Sequence, residues 1–116
     1  RTIKLLGFRM SIEEITWKLP WRAIQFEAEI PGVQNQIESE ITEPHPLWNT
    51  NPIVIGRRID CDDVVAKLSD GRIADVHLVW GSGAGAFPAE YPTFTIYESL
   101  QEFLASMEQD HIDYEE

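Results

Sequence analysis

Asp70-Gly71 sits between two apolar-rich runs, Asp63 to Ser69 and Arg72 to Trp80, and constrains the fold more than any other feature of the chain. A type I′ turn needs positive φ at both central residues, and Asp-Gly between alternating runs meets that need. With Asp70-Gly71 as a two-residue loop, Ser69 opposes Arg72. Counting back pairs Lys67 with Ala74, Val65 with Val76, Asp63 with Leu78 and Cys61 with Trp80. The other face pairs Leu68 with Ile73, Ala66 with Asp75, Val64 with His77 and Asp62 with Val79. Strand alternation then places Asp62, Asp75 and His77 on one face, and Asp63 with Cys61 on the other. A bulge within Asp60 to Asp63 would exchange these assignments.

The remaining elements follow from periodicity and capping. Ser11-Ile12-Glu13-Glu14 has capping-box spacing and predicts a short helix from Ile12 to about Lys18, ended by Pro20. Ile24 to Ile30 alternates apolar and polar residues, as a half-buried strand does, until Pro31-Gly32 breaks it. Val33, Ile37 and Ile41 make the apolar stripe of a helix from about Val33 to Thr42, with Glu38 and Glu40 off the stripe. Pro44 and Pro46 keep Glu43 to Asn49 irregular. Pro52 to Ile59 reads as a strand, Gly81 to Ala86 as a flexible loop and Thr93 to Tyr97 as a short strand. Ser99-Leu100-Gln101-Glu102 is a second capping box, opening a helix with its stripe at Leu100, Phe103, Leu104 and Met107. That helix is expected to end near Asp110, with residues 111–116 as a frayed acidic tail. The order α-β-α-β-β-β-β-α predicts an α+β fold, an antiparallel sheet of four or five strands with helices packed on one face.

A chain of 116 residues fits one domain, with residues 1–9 read as a tag or upstream extension ahead of Met10. No apolar run approaches the roughly 18 residues of a membrane span, and no signal-peptide pattern is visible. Cys61 is the single cysteine, which excludes an internal disulfide and points to a cytoplasmic protein with Cys61 as a small buried residue. Net charge is -11, and Arg72 is the last basic residue. Residues 23–56 also lack Lys and Arg. Such a surface repels phosphate, so nucleic acid and anionic membranes are poor partners, and a basic protein is a good one. The plainer explanation of the same charge is solubility.

Asp60-Cys61-Asp62-Asp63 with His77 is the one cluster with chemical potential. A carboxylate beside an imidazole serves as an acid–base pair or holds a divalent metal. The plainer reading has Asp62 or Asp75 accepting a hydrogen bond from His77 and an arginine pairing with Asp60. Gly81-Ser82-Gly83-Ala84-Gly85 follows a strand, but no helix opens after it to bind phosphate. No motif calls for a cofactor. Of the four tryptophans, Trp17 and Trp21 flank Pro20 and Trp48 lies in a proline-rich loop, so complete burial of all three is not expected. Exposed Trp is a common anchor of protein interfaces.

Arg57-Arg58, Asp60-Cys61-Asp62-Asp63-Val64, Asp70-Gly71-Arg72, Val76-His77-Leu78, Trp80, Tyr91-Pro92-Thr93 and Tyr97-x-Ser99, preceded by His45-Pro46-Leu47, resemble a group of small uncharacterised bacterial proteins. The resemblance spans about half the chain and implies no particular chemistry. In size and acidity the chain is also similar to immunity proteins that neutralise bacterial toxins. The expected function is therefore an immunity-type inhibitor, binding a basic protein partner such as a toxin domain. Trp48, Glu102, Glu108 and Asp110 are the candidate contacts. The alternative is a small enzyme or metal-binding domain centred on Asp62, Asp75 and His77.

Overall fold

The computed structural model describes residues 14–24, 29–81 and 85–116. Ser11, Ile12 and Glu13 of the first capping box, and with them the first two residues of the expected first helix, the middle of the expected Ile24 to Ile30 strand and the centre of the glycine loop lie outside the described residues. The fold is α+β. Among the described residues its sheet has five antiparallel strands in sequential order: β1 (Trp21–Ala23), β2 (Ile53–Arg58), β3 (Asp63–Lys67), β4 (Ile73–His77) and β5 (Thr93–Tyr97). Helix α1 (Glu29–Glu40) lies between β1 and β2, and helix α2 (Leu100–Glu115) follows β5.

The helices lie on opposite faces of the sheet, not on one. Val33 and Ile37 of α1, with Ile41 and Leu47 beyond it, pack on Val64, Ala66, Ala74 and Val76. Phe103 and Met107 of α2 pack on Val65, Ile73 and Trp21. The reason is in β3 and β4. Val64, Val65, Ala66, Ile73, Ala74 and Val76 are all buried, so both faces of the central strands are apolar and each needs a cover. Trp21 is itself buried, with its ring edge-on to Phe103 at 5.2 Å, so Pro20 does not expose it.

Several boundaries differ from expectation for physical reasons. Glu14 to Lys18 contains no α-helix. Helix α1 begins at Glu29 and carries Pro31 and Gly32 in its first turn. A first-turn proline costs little, because its missing N–H would have no intrahelical partner. The Glu29 carboxylate complements the positive end of the helix and pairs with Arg22 of β1 and with Arg57 of β2 at 3.3 Å. Helix α2 continues to Glu115, so residues 111–115 are helical and not frayed. Gln109 donates to Asp113 at 3.0 Å along this last stretch.

The β3–β4 turn decides the register. The Leu68 N–H donates to the Arg72 carbonyl at 2.9 Å, and the Gly71 N–H donates to the Leu68 carbonyl at 3.0 Å. Gly71 has φ 94°. This is a three-residue loop, Ser69-Asp70-Gly71, closed by glycine in the left-handed region. Asp70 braces it by accepting from the Arg72 N–H at 3.0 Å. The one-residue change from a two-residue turn shifts the ladder. Lys67 faces Ile73, Ala66 faces Ala74, Val65 faces Asp75, Val64 faces Val76 and Asp63 faces His77. Gly71→Val is expected to cost about 1–2 kcal/mol, since a β-branched residue is strained at positive φ while the space around the position is open. Thermal unfolding checks this, and a variant that melts with the parent would contradict the turn.

Candidate functional site

Two regions carry chemistry, one on each face of the sheet. On the α1 face, Glu38, Ile41, Leu47, Trp48, Asn49, Asn51, Pro52 and Ile53 line an open groove of about 280 Å³. Its construction starts with the prolines, which keep the segment after α1 from continuing as helix. His45 then organises the loop from within. It is buried, its Nδ1 accepts from the Leu47 N–H at 3.0 Å, and its Nε2 therefore donates to the Pro92 carbonyl at 2.8 Å. Leu47 turns into the core while its neighbour Trp48 stays 45 % exposed. Asn49 and Asn51 adopt positive φ of 71° and 51°, a region Asn tolerates better than most residues. Gln34 ties the far wall to α1, donating to the Pro52 carbonyl at 2.8 Å and accepting from the Val54 N–H at 2.9 Å. The groove is thus apolar at its base, with Trp48 and Ile53 exposed and Glu38 at its edge.

The expected contacts on α2 are on the other face, so Trp48 is not brought together with Glu102, Glu108 or Asp110. Each of those three carboxylates also has an internal partner. Glu102 closes the start of α2: its N–H donates to the Oγ of the N-cap Ser99 at 3.2 Å, and its Oε1 reaches one residue past the cap to accept from the Glu98 N–H at 2.9 Å. Glu108 pairs with Lys18. Asp110 accepts from the Trp21 indole N–H at 2.9 Å and lies 3.4 Å from the Arg58 guanidinium. Asp110 thus serves to dock α2.

The second region is the corner of the α2 face at the open ends of β3 and β4. The shifted register replaces Asp62 by Asp63 as the partner of His77. The His77 ring lies with Nδ1 2.7 Å from Asp63 Oδ1. Asp75 is two residues from His77 on the same face and meets Asp63 diagonally across the ladder. Burial pushes the Asp75 carboxyl up, and its hydrogen bond to Asp63 and the Asp63 charge push it further, to about 9. Burial also raises Asp63, but the hydrogen bonds from Asp75 and His77 outweigh it and leave Asp63 below its ordinary value. One proton is therefore shared, Asp75 donating and Asp63 accepting. This accounts for Asp75 Oδ1, which is sealed from solvent and receives no hydrogen bond. A neutral acid tolerates that position and a carboxylate does not.

Asp62 is exposed and does not join the cluster. Among the described residues no group of three or more His, Cys, Asp or Glu side chains is arranged to hold a metal ion. Cys61 is exposed rather than buried. Partial desolvation and the neighbouring carboxylates Asp63 and Asp60 raise its thiol, opposite to what a thiolate nucleophile needs.

Glu40 carries no expectation from the helical pattern beyond lying off the apolar stripe, yet it is buried. Its carboxylate accepts from the N–H groups of Val79 and Trp80, both at 2.8 Å, and from Gln36 at 2.7 Å. The stripe could not reveal it, because what draws Glu40 inward is a pair of backbone donors 39 and 40 residues away. Among the described residues no helix is long and apolar enough to cross a membrane. No family model, curated protein or solved structure matches this chain.

Proposed function

We propose that this chain is a protein-binding module, an immunity-type inhibitor that seats a basic protein partner in the Trp48 groove. The observation that carries the reading is a pre-formed groove with an exposed tryptophan, built from a stretch of chain without a single Lys or Arg. A partner segment suited to it presents an apolar side chain to Trp48 and Ile53 and a Lys or Arg to Glu38. Rigid aromatic anchors beside desolvated pockets dominate interface energetics, and complementary charge speeds the encounter. The acidic outer side of α2 adds to the long-range field without touching the same partner surface. His45, Gln34 and the asparagine turns hold the groove open before binding, which lowers the entropy cost of association.

The test is capture of the partner from the native host, followed by association and dissociation rates across a salt series. The expected partner is basic. Trp48→Ala is expected to weaken it about 30-fold or more, mainly through faster dissociation. Glu38→Lys is expected to slow association and flatten its salt dependence. An acidic partner, or a basic one indifferent to Trp48→Ala and Glu38→Lys, would exclude this groove as the docking site.

A further inference from the structure

The carboxyl pair on the α2 face sits where that helix is fastened to the sheet. Arg58 is the hub. Its guanidinium hydrogen-bonds Asp60 at 2.8 Å, lies 3.4 Å from Asp110 of α2 and stacks over the Trp21 ring at 5.6 Å. Trp21 donates to the same Asp110 carboxylate. Arg58 thus already faces two carboxylates, and it also interacts electrostatically with Asp75. The groups facing Asp75 are Asp63 from β3, Arg58 from β2 and Asp110 from α2. His77, on its own strand, acts through Asp63. Thr95 of β5, its register partner, brings no charge.

We propose that the Asp63–Asp75 pair is a proton-held latch for the C-terminal half of α2. While one proton is shared, Asp75 adds no charge beside the carboxylates that Arg58 already faces, Asp60 and Asp110. When Asp75 loses that proton, a further carboxylate is created beside Asp63 and Asp110, with Arg58 already engaged by Asp60 and Asp110. Repulsion then falls on Asp110, the member that α2 carries, and the Trp21–Asp110–Arg58 fastening opens.

The direction with pH follows from the two shifts. Asp75 is raised from 3.8 to about 9 on folding, so its contribution to stability is complete below 3.8 and is lost as pH climbs to about 9. Asp63 is lowered, so its contribution is present above 3.8 and is lost as pH falls through its folded value. The alkaline step therefore belongs to Asp75.

The experiment is amide hydrogen exchange, corrected for intrinsic rate, from about pH 7 to about pH 10, with the Trp21 indole N–H followed by NMR. Protection of the α2 amides after Met107 is expected to fall about ten-fold or more across this range, while Val64 and Val65 of β3 keep theirs. Asp75→Asn, which mimics the protonated acid, is expected to abolish the loss. Asp63→Asn removes the opposing charge, and is expected to move the step toward lower pH whether or not Asp75→Asn folds. Unchanged α2 protection in the parent, an equal loss in β3, the same loss in Asp75→Asn, or an unmoved midpoint in Asp63→Asn would each overturn the latch.

Discussion

Gly56→Ala is expected to destabilise the protein by about 3 kcal/mol, lowering its melting temperature by on the order of 10 °C. Gly56 lies beside a bulge in β2, where the register with β3 shifts between Val54 and Gly56. The bulge turns Gly56 toward Val65 and the α2 side. The six-membered ring of Trp17 occupies the space where a side chain would be. An added Cβ would come within 2.6 Å of Trp17 Cζ3 and 2.8 Å of the Arg22 carbonyl oxygen. Neither can yield cheaply. The oxygen is backbone of the neighbouring strand, and Trp17 is packed against Phe103 with ring centroids 6.5 Å apart. Even a methyl group must therefore displace the indole or separate β1 from β2. The pair is also expected to couple: Gly56→Ala combined with Trp17→Leu should cost less than the two changes added separately, because the smaller side chain vacates the space. Thermal unfolding of the single and double variants measures both effects. A Gly56→Ala protein that melts with the parent would mean that Trp17 does not lie on Gly56.

The residues that sequence reasoning places well are those whose cue is local. The Asp70-Gly71 hairpin of β3 and β4, the stripe Val33, Ile37 and Ile41, and the N-cap at Ser99 each need only a few neighbouring residues to act, and each is present in the fold. The Asp-Gly dipeptide identifies the hairpin but not its loop length. Two-residue and three-residue loops both suit Asp-Gly, and choosing between them moves every opposed pair by one position. That single residue exchanges Asp62 for Asp63 beside His77, and so changes the identity of the carboxyl pair. Asp75 is the one member that both registers place with His77. Its retained proton has no local signature, because it comes from burial under α2 and from a carboxylate on the adjacent strand.

Helix placement fails for a related reason. An amphipathic stripe shows that a helix covers something, not which face of the sheet it covers. The information was in the strands instead: the consecutive apolar residues Val64, Val65 and Ala66 already require cover on both sides. Trp48 shows the reverse case. Its exposure follows from the chain around it, since the two prolines and the His45-centred loop turn Leu47 inward and leave the next side chain outside.

Glu40→Ala is expected to cost about 3 kcal/mol, more than an ordinary surface glutamate by several-fold. Glu40 is 1 % exposed, and its carboxylate takes the N–H groups of Val79 and Trp80 where β4 ends. Trp80 has φ 60°, an uncommon conformation for a bulky residue. The two hydrogen bonds hold that conformation, and with it the indole that lies 5.7 Å beneath the Arg57 guanidinium. Alanine leaves two backbone donors without their acceptor in a partly buried place. Leucine fills the volume but supplies no acceptor, so Glu40→Leu should fail nearly as badly as Glu40→Ala. Glutamine keeps one acceptor oxygen and presents an NH₂ to the second donor, so Glu40→Gln should lose roughly half as much, about 1–2 kcal/mol. The ordering Gln, then Leu and Ala, separates a hydrogen-bonding role from simple packing, which would rank leucine best. Denaturant unfolding gives the ordering, and hydrogen exchange at Val79 and Trp80 locates the damage. If Glu40→Leu matches the parent while Glu40→Gln does not, the carboxylate is a space-filler and the chain leaving β4 is held by something else.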